Sequence, residues 1–264
     1  MSKTILVLGG GIGGINTAKE LSKKIGNEEG INLANILVFE REEKNVYQPS
    51  LTWLMVGKRK EEQLYRDTKD IEVGGIEVVF GDIEKADPQN LSVSVNGKTY
   101  KGDYMVVSLG IEEGDDHGLS EAGHNFYSLD GANEFYEDLK DFKGGKIVIT
   151  VPSLPFKSPV APYEAAMLVE DYIREKGLRD ETEICLYTPE SEPMGFAGEE
   201  ISDNVMKLMA ERGIHYMAGF ELSSASGKTL TFKDSSGESK TVEFDLMAFT
   251  PKHKCPTVIE ETGL

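Results

Sequence analysis

The sequence predicts an α/β protein made of two three-layer units, each built on a parallel sheet. Three observations predict this. The apolar run Lys3-Thr4-Ile5-Leu6-Val7-Leu8 meets the loop Gly9-Gly10-Gly11-Ile12-Gly13-Gly14 and then an amphipathic stretch. A second apolar run, Lys146-Ile147-Val148-Ile149-Thr150-Val151, meets the turn Pro152-Ser153-Leu154-Pro155-Phe156-Lys157-Ser158-Pro159. Around both, buried-strand patterns alternate with helical ones, the signature of βαβ units. Only the first of the two loops has the composition to hold a pyrophosphate.

Taken in order, the first strand is a nearly unbroken apolar run, as expected for a parallel strand covered on both faces. Ile15, Ala18, Leu21 and Ile25 then recur at helical spacing, with Lys19, Lys23 and Lys24 on the other side. Gly26 to Asn35 reads as a polar loop, and Ile36–Phe39 as a second buried strand ending at Glu40. Val46 to Gly57 is an apolar loop, and the charged segment up to about Thr68 is expected to be helical in part. Ile76–Phe80 is a strand. Leu91–Val95 and Lys98–Tyr100 flank Asn96-Gly97, a hairpin signal because both turn positions need positive φ. Tyr104–Gly110 is again a strand meeting a glycine. Ile111 to Asn125 is acidic, glycine-bearing and loop-like, and marks a domain boundary. Beyond it the pattern gives strand 146–151, helix 161–176, strand Glu183–Tyr187, helix 199–212 and strand 214–217. Polar hairpin tips follow near Gly227 and Ser235-Ser236-Gly237, then the strand Phe244–Thr250.

The chain has 264 residues, with 46 acidic against 28 basic side chains and a formal charge of −18. Such a surface repels phosphate backbones, so nucleic acid is excluded as a partner. No run of about 18 apolar residues is present to span a bilayer. The chain enters a strand by Ile5, leaving no room for a leader, and a cytoplasmic location is expected. The two cysteines, Cys185 and Cys255, and the histidines His117, His124, His215 and His253 are scattered, so no metal centre is expected. Cys185 sits within a strand pattern and reads as core. Cys255 follows Lys252-His253-Lys254, cations able to lower a thiol pKa, and is a secondary redox candidate. His253 reads as a surface residue.

Gly9, Gly11 and Gly14 fit G-x-G-x-x-G in the context the motif requires: strand before, helix after, and a second strand ending in an acid. Gly9 permits the tight turn, Gly11 the approach of a pyrophosphate, and Gly14 close helix–strand packing. Ile12 and Gly13 open the helix whose N–H groups would face the phosphates. Glu40, with Arg41 beside it, is placed to accept ribose hydroxyls. It lies further from the glycines than the usual spacing of about 20 residues, and the Gly26–Asn35 loop absorbs the excess. An acid here favours an unphosphorylated ribose, as in FAD or NAD. The second unit differs. Between Val151 and Glu164 there is no glycine, but Pro152, Pro155, Pro159 and Pro162. Prolines remove N–H donors and fix φ, so this turn cannot cradle a pyrophosphate and a nicotinamide is not expected there.

Several separated segments carry a resemblance. The hairpin before Tyr104–Gly110 matches the two-dinucleotide-fold flavoproteins, with Ser108-Leu109-Gly110 standing for their Ala-Thr-Gly turn. The turn Pro155-Phe156-Lys157-Ser158-Pro159-Val160-Ala161-Pro162-Tyr163-Glu164 resembles the active-site turn of sulfide:quinone oxidoreductases and flavocytochrome c sulfide dehydrogenases. Tyr47-Gln48-Pro49-Ser50-Leu51-Thr52-Trp53, Phe142–Ile149 and Thr250-Pro251-Lys252-His253 resemble further segments of the same family. The resemblance implies two Rossmann-like domains, an FAD-binding one over 1–115 and a degenerate NADH-type one over 116–250. Residues 251–264 would return towards a second flavin half. It implies FAD as cofactor, with Pro49, Ile83, Ser108 and Gly110 joining the glycines and Glu40 around it. The Trp53 loop reads equally as packing or as a flavin wall.

The resemblance further implies electron transfer from sulfide or a related reductant through flavin to quinone. Two departures qualify this. Ser158 stands where the family has a redox cysteine, and a hydroxyl cannot take up sulfur as a thiolate does. Another family cysteine would fall near Tyr127. The chain also stops where the family continues into a further flavin motif and a C-terminal portion. That portion is expected to supply the quinone pocket and peripheral contact with the cytoplasmic membrane, and a homo-oligomer is compatible with the pattern. Two alternatives stay open: a type II NADH:quinone dehydrogenase relative, and a non-catalytic flavin- or nucleotide-binding paralogue.

Overall fold

The computed structural model describes residues 2–25, 34–72 and 75–262. Most of the loop expected from Gly26 to Asn35 lies outside them. The chain forms two compact units. The first comprises Met1–Val46, Tyr65–Glu112 and Lys254–Leu264, the second Tyr47–Leu64 and Glu113–His253.

In the first unit four parallel strands run in the spatial order Ile76–Phe80, Ala34–Glu40, Lys3–Leu8, Tyr104–Val107. Two-residue periodicity divides the central strands between two cores. Ile5, Val7, Ile36 and Val38 face Ala18 of the Ile12–Ile25 helix. Leu6, Leu8, Leu37 and Phe39 face Val93 and Val95 of a covering antiparallel sheet. That sheet holds Ile83–Asp87, Ser92–Val95 and Lys98–Lys101. Asn96 (φ 52°) and Gly97 (φ 70°) make its hairpin turn as the dipeptide predicts. The Thr257–Glu260 helix packs on the Ile83–Asp87 strand, and the Thr257 N–H and hydroxyl both donate to Glu112 Oε2 at 2.8 and 2.9 Å.

In the second unit five parallel strands run in the order His124–Asn125, Leu246–Phe249, Gly145–Thr150, Thr182–Thr188, Ile214–Ala218. One face carries Val148, Cys185, Tyr187, Met247 and Phe249 against Leu222, Leu230 and Phe232 of a three-stranded antiparallel sheet. The longer helices of this unit are Leu129–Asp141, Ala161–Glu175 and Glu199–Glu211. The buried Glu170 carboxylate of the second of these binds Arg174 of its own helix, Arg179 Nε at 3.3 Å and, just past the third helix, Arg212 Nη1 at 2.9 Å.

The structure departs from the sequence reading in several places. The stretch Val46–Gly57 is no loop: it holds a 3-10 turn, Gln48–Ser50, and a short helix, Leu51–Leu54. That helix buries Leu51, Thr52 and Leu54 against the Leu129–Asp141 and Ala161–Glu175 helices, which draws Tyr47–Leu64 into the second unit. The two units therefore depart from the contiguous ranges 1–115 and 116–250. The Leu129–Asp141 helix was not anticipated, although Ser128 caps it by accepting from Gly131 N at 3.0 Å. Finally, His253 is half-buried rather than a surface residue.

Candidate cofactor site and proline turn

Strand order in the first unit reverses between Lys3–Leu8 and Tyr104–Val107, and ligands of open parallel sheets bind at the carboxyl ends of strands flanking such a point. Gly9 leaves the first strand with φ 100°. A Cβ on it would stand 2.3 Å from the Ser108 carbonyl oxygen, so the two strand ends approach as only glycine allows. A Cβ on Gly14 would fall 1.8 Å from the Gly9 carbonyl oxygen, the helix being pressed against the strand. Gly11 is the contrast: its Cβ direction meets nothing within 4 Å. Ser108 Oγ sits over Gly13, and Gly110 (φ 71°) completes the neighbouring turn.

The Ile12–Ile25 helix starts at this loop with no acid in its first turn and with Lys23 and Lys24 in its last. Its positive end is therefore unneutralised, and the N–H groups of Gly11, Ile12 and Gly13 have no acceptor among the described residues. Glu40 closes the other side. Its Oε2 accepts from Gly10 N at 2.6 Å, and Oε1 from Arg41 N at 2.8 Å and Glu42 N at 3.0 Å. A carboxylate has about four acceptor positions, so one remains for a ribose hydroxyl. Asn45, which the sequence did not single out, donates to the Gly10 carbonyl at 2.8 Å and fixes the loop. The Arg41 guanidinium turns to Glu42 at 3.5 Å, and Ile83 pairs with Val95 in the covering sheet. Loop, helix start and acid together fit a dinucleotide such as FAD.

The remaining candidates fall elsewhere. Pro49 lies in the 3-10 turn of the second unit, and Cys255 is exposed in the first. Ser158 is exposed in the second unit with φ 57°, just before the Ala161–Glu175 helix, and its carbonyl accepts from Ala161 N at 2.9 Å. The Tyr127 hydroxyl donates to the Lys157 carbonyl at 2.7 Å and lies 3.3 Å from that of Ser158. Residues 127 and 158, the two places where the resemblance expects sulfur, are thus neighbours in space and both carry hydroxyls. Burial raises the Tyr127 pKa well above its ordinary value, keeping the phenol protonated.

The rest of the turn is held from three sides. Lys157 N donates to His253 Nδ1 at 2.8 Å, and its ammonium donates to the Gln48 amide oxygen. Trp53 Nε1 and Thr52 Oγ1 each donate to the Glu164 carboxylate at 3.0 Å, which fixes the Trp53 loop within this unit. Cys185 is core, its thiol pushed up to about 12 by burial. Among the described residues no cluster of three metal-ligating side chains exists, and no helix is long and apolar enough to cross a membrane.

No protein-family profile matches the sequence. It is 30% identical to the mitochondrial sulfide:quinone oxidoreductase of Dictyostelium discoideum over 98% of this chain and 58% of that protein. In fold it is similar to the sulfide:quinone oxidoreductase of Aquifex aeolicus, at a TM-score of 0.88 and 23% identity, covering 99% of this chain and 61% of that one. It is also similar to NDH2 of Plasmodium falciparum, at a TM-score of 0.77 and 12% identity, covering 57% of that chain. The chain spans less than two thirds of each relative's length. In sequence the chain is similar to the sulfide:quinone oxidoreductases over that part of their length, and it shares their fold there.

Proposed function

We propose that the protein is an FAD-dependent oxidoreductase that passes electrons from sulfide or a related small reductant through flavin to quinone, working at the cytoplasmic face of a membrane. One observation carries the reading: the first unit has a complete dinucleotide cradle, whereas the second has a proline turn in the corresponding place. Gly11, Ile12 and Gly13 would receive the diphosphate, Glu40 the adenosine ribose, and the Ser108–Gly110 turn would lie beside it. When bound, the flavin supplies two-electron storage, and the protein's part is binding and orientation.

Ser158 and Tyr127 give this version a particular form. Neither hydroxyl can hold sulfane sulfur, so the reductant is bound by this turn without a protein–sulfur bond. The same pair favours a second reading, a flavin-binding protein that sulfide does not reduce. The test is direct. Purified protein is loaded with FAD and its visible spectrum followed without oxygen. Bleaching by sulfide and reoxidation by a soluble quinone support the proposal. Bound flavin that resists sulfide favours the second reading, and rapid bleaching by NADH overturns both.

A further inference from the structure

Buried polar side-chain atoms without partners mark places where something else completes the hydrogen bonding. Among the described residues Thr150 Oγ1, Thr250 Oγ1 and His253 Nε2 are three such atoms. All three lie at or just beyond the carboxyl ends of Gly145–Thr150 and Leu246–Phe249, the adjacent strands between which the order of the second sheet reverses. This is the place in a parallel sheet where ligands bind. The proline turn that begins at Pro152 leaves the same edge.

His253 is the informative member. Its Nδ1 accepts the Lys157 N–H at 2.8 Å, so a neutral ring must carry its proton on Nε2. Burial, with the Lys157 charge nearby, lowers its pKa and keeps the ring neutral. Tyr127 packs on the imidazole with ring centroids 5.6 Å apart, and its own hydroxyl is already committed to the Lys157 carbonyl. The ring is therefore fixed, and Nε2–H is a donor with no acceptor within the described residues. Four prolines remove N–H donors from the turn and the helix start, and the imidazole adds one at this edge. The Lys157 ammonium is satisfied by an amide oxygen, that of Gln48, so its charge stays uncancelled in a strongly acidic chain.

We infer that His253 Nε2–H is a hydrogen-bond donor to a small anionic reductant, of the hydrosulfide or low-molecular-weight thiolate class, bound at the Pro152–Pro159 turn beside Lys157. This deepens the function proposed above and rests on it for the identity of the ligand, while the donor geometry stands apart from electron transfer. The anion is attracted by the Lys157 charge and oriented by the imidazole. No bond to protein sulfur forms.

The test uses the full chain with its histidines labelled with nitrogen-15. Two-bond proton–nitrogen spectra of the cofactor-free protein should show His253 as the Nε2–H tautomer. Titration with sodium hydrosulfide under anaerobic conditions should shift the Nε2 resonance saturably. His253→Leu should weaken hydrosulfide binding by about tenfold or more, the loss expected for a hydrogen bond to a charged group, whereas His253→Gln, which retains an N–H donor, should stay within about threefold of the parent. An Nδ1–H tautomer, or equal hydrosulfide affinity in parent and a folded His253→Leu, overturns the inference. So does an Nε2 shift produced by FAD and not by hydrosulfide. If His253→Leu does not fold, the tautomer and titration of the parent still decide. A flavin that sulfide fails to reduce would refute the proposed function without touching these readouts.

Discussion

The phenol of Tyr163 donates to the Glu190 carboxylate, and Thr188 Oγ1 approaches the same oxygen at 3.2 Å. Glu190 stands two residues beyond the Thr182–Thr188 strand, where a nucleotide-binding βαβ unit keeps the acid that receives ribose hydroxyls. Glu40 holds the corresponding place in the first unit and, among the described residues, bonds only backbone N–H groups. In the second unit a side-chain hydroxyl already occupies the acid. NADH should therefore produce no saturable heat in calorimetry with the FAD-loaded protein, and should leave the bound flavin oxidised. Tight NADH binding would show that the Tyr163 contact opens for a ribose.

Burial raises the Glu190 pKa above its ordinary 4.5, against the opposing hydrogen bonds from Tyr163 and Thr188. The folded protein then holds a proton that the unfolded chain releases. This contribution to stability is complete below about pH 4.5 and is lost as pH rises through the higher folded value. Urea unfolding of the parent should show that falling limb, and Glu190→Gln, neutral throughout yet still an acceptor for Tyr163, should flatten it. An unchanged pH dependence in the variant would place the titration elsewhere.

Gly11 and Gly14 separate binding from folding. An alanine methyl at Gly11 meets no atom of the chain, so Gly11→Ala should keep stability within about 0.5 kcal/mol. It should nevertheless lose FAD affinity by tenfold or more, because the methyl enters the path of the diphosphate. Gly14→Ala drives its Cβ into the Gly9 carbonyl and should cost about 1–3 kcal/mol or more of stability before any cofactor is added. Thermal melts with and without FAD distinguish the two. Equal FAD binding by Gly11→Ala and the parent would refute the assignment of the loop.

Much of the first unit was legible because its determinants are local. A six-residue apolar strand, glycines at fixed intervals, an Asn-Gly turn and an acid at a strand end each specify geometry within a few residues. What stayed hidden depends on contacts distant in sequence. The apolar stretch from Val46 reads as a loop until Glu164 is found accepting from Thr52 and Trp53, and nothing local announces that pairing. His253, between two lysines, reads as surface until Lys157 is seen donating to its ring. The Leu129–Asp141 helix was obscured by its charged residues, although Ala132, Phe135 and Leu139 lie on one buried face. The Ile83–Asp87 strand buries only Ala86 fully, too little for an alternating pattern to emerge.

Cys185 and Cys255 should differ sharply in reactivity. Burial, aided by a hydrogen bond to Glu183 Oε1 at 3.3 Å, pushes the Cys185 thiol up to about 12, while Cys255 is exposed. At pH 8 a disulfide reagent should titrate Cys255 alone in the folded protein and both thiols in denaturant. Rapid native labelling of Cys185 would mean that the strand carrying it opens far more readily than its packing implies.

Ser158→Cys is the substitution that restores a thiol to the turn with least disturbance. The residue is exposed, and its left-handed φ of 57° strains serine and cysteine alike, so stability should change by no more than about 0.5 kcal/mol. The new thiol stands just before the Ala161–Glu175 helix and next in sequence to Lys157, and both features favour a thiolate. The variant should react with iodoacetamide at neutral pH faster than Cys255 does. Offered polysulfide, its thiolate should attack sulfane sulfur and release a chain one atom shorter, leaving a persulfide that mass spectrometry reads as one added sulfur at residue 158. The parent should show no such gain at that position. A Ser158→Cys protein that is folded, unreactive to iodoacetamide and unmodified by polysulfide would mean that the turn is not arranged for sulfur chemistry.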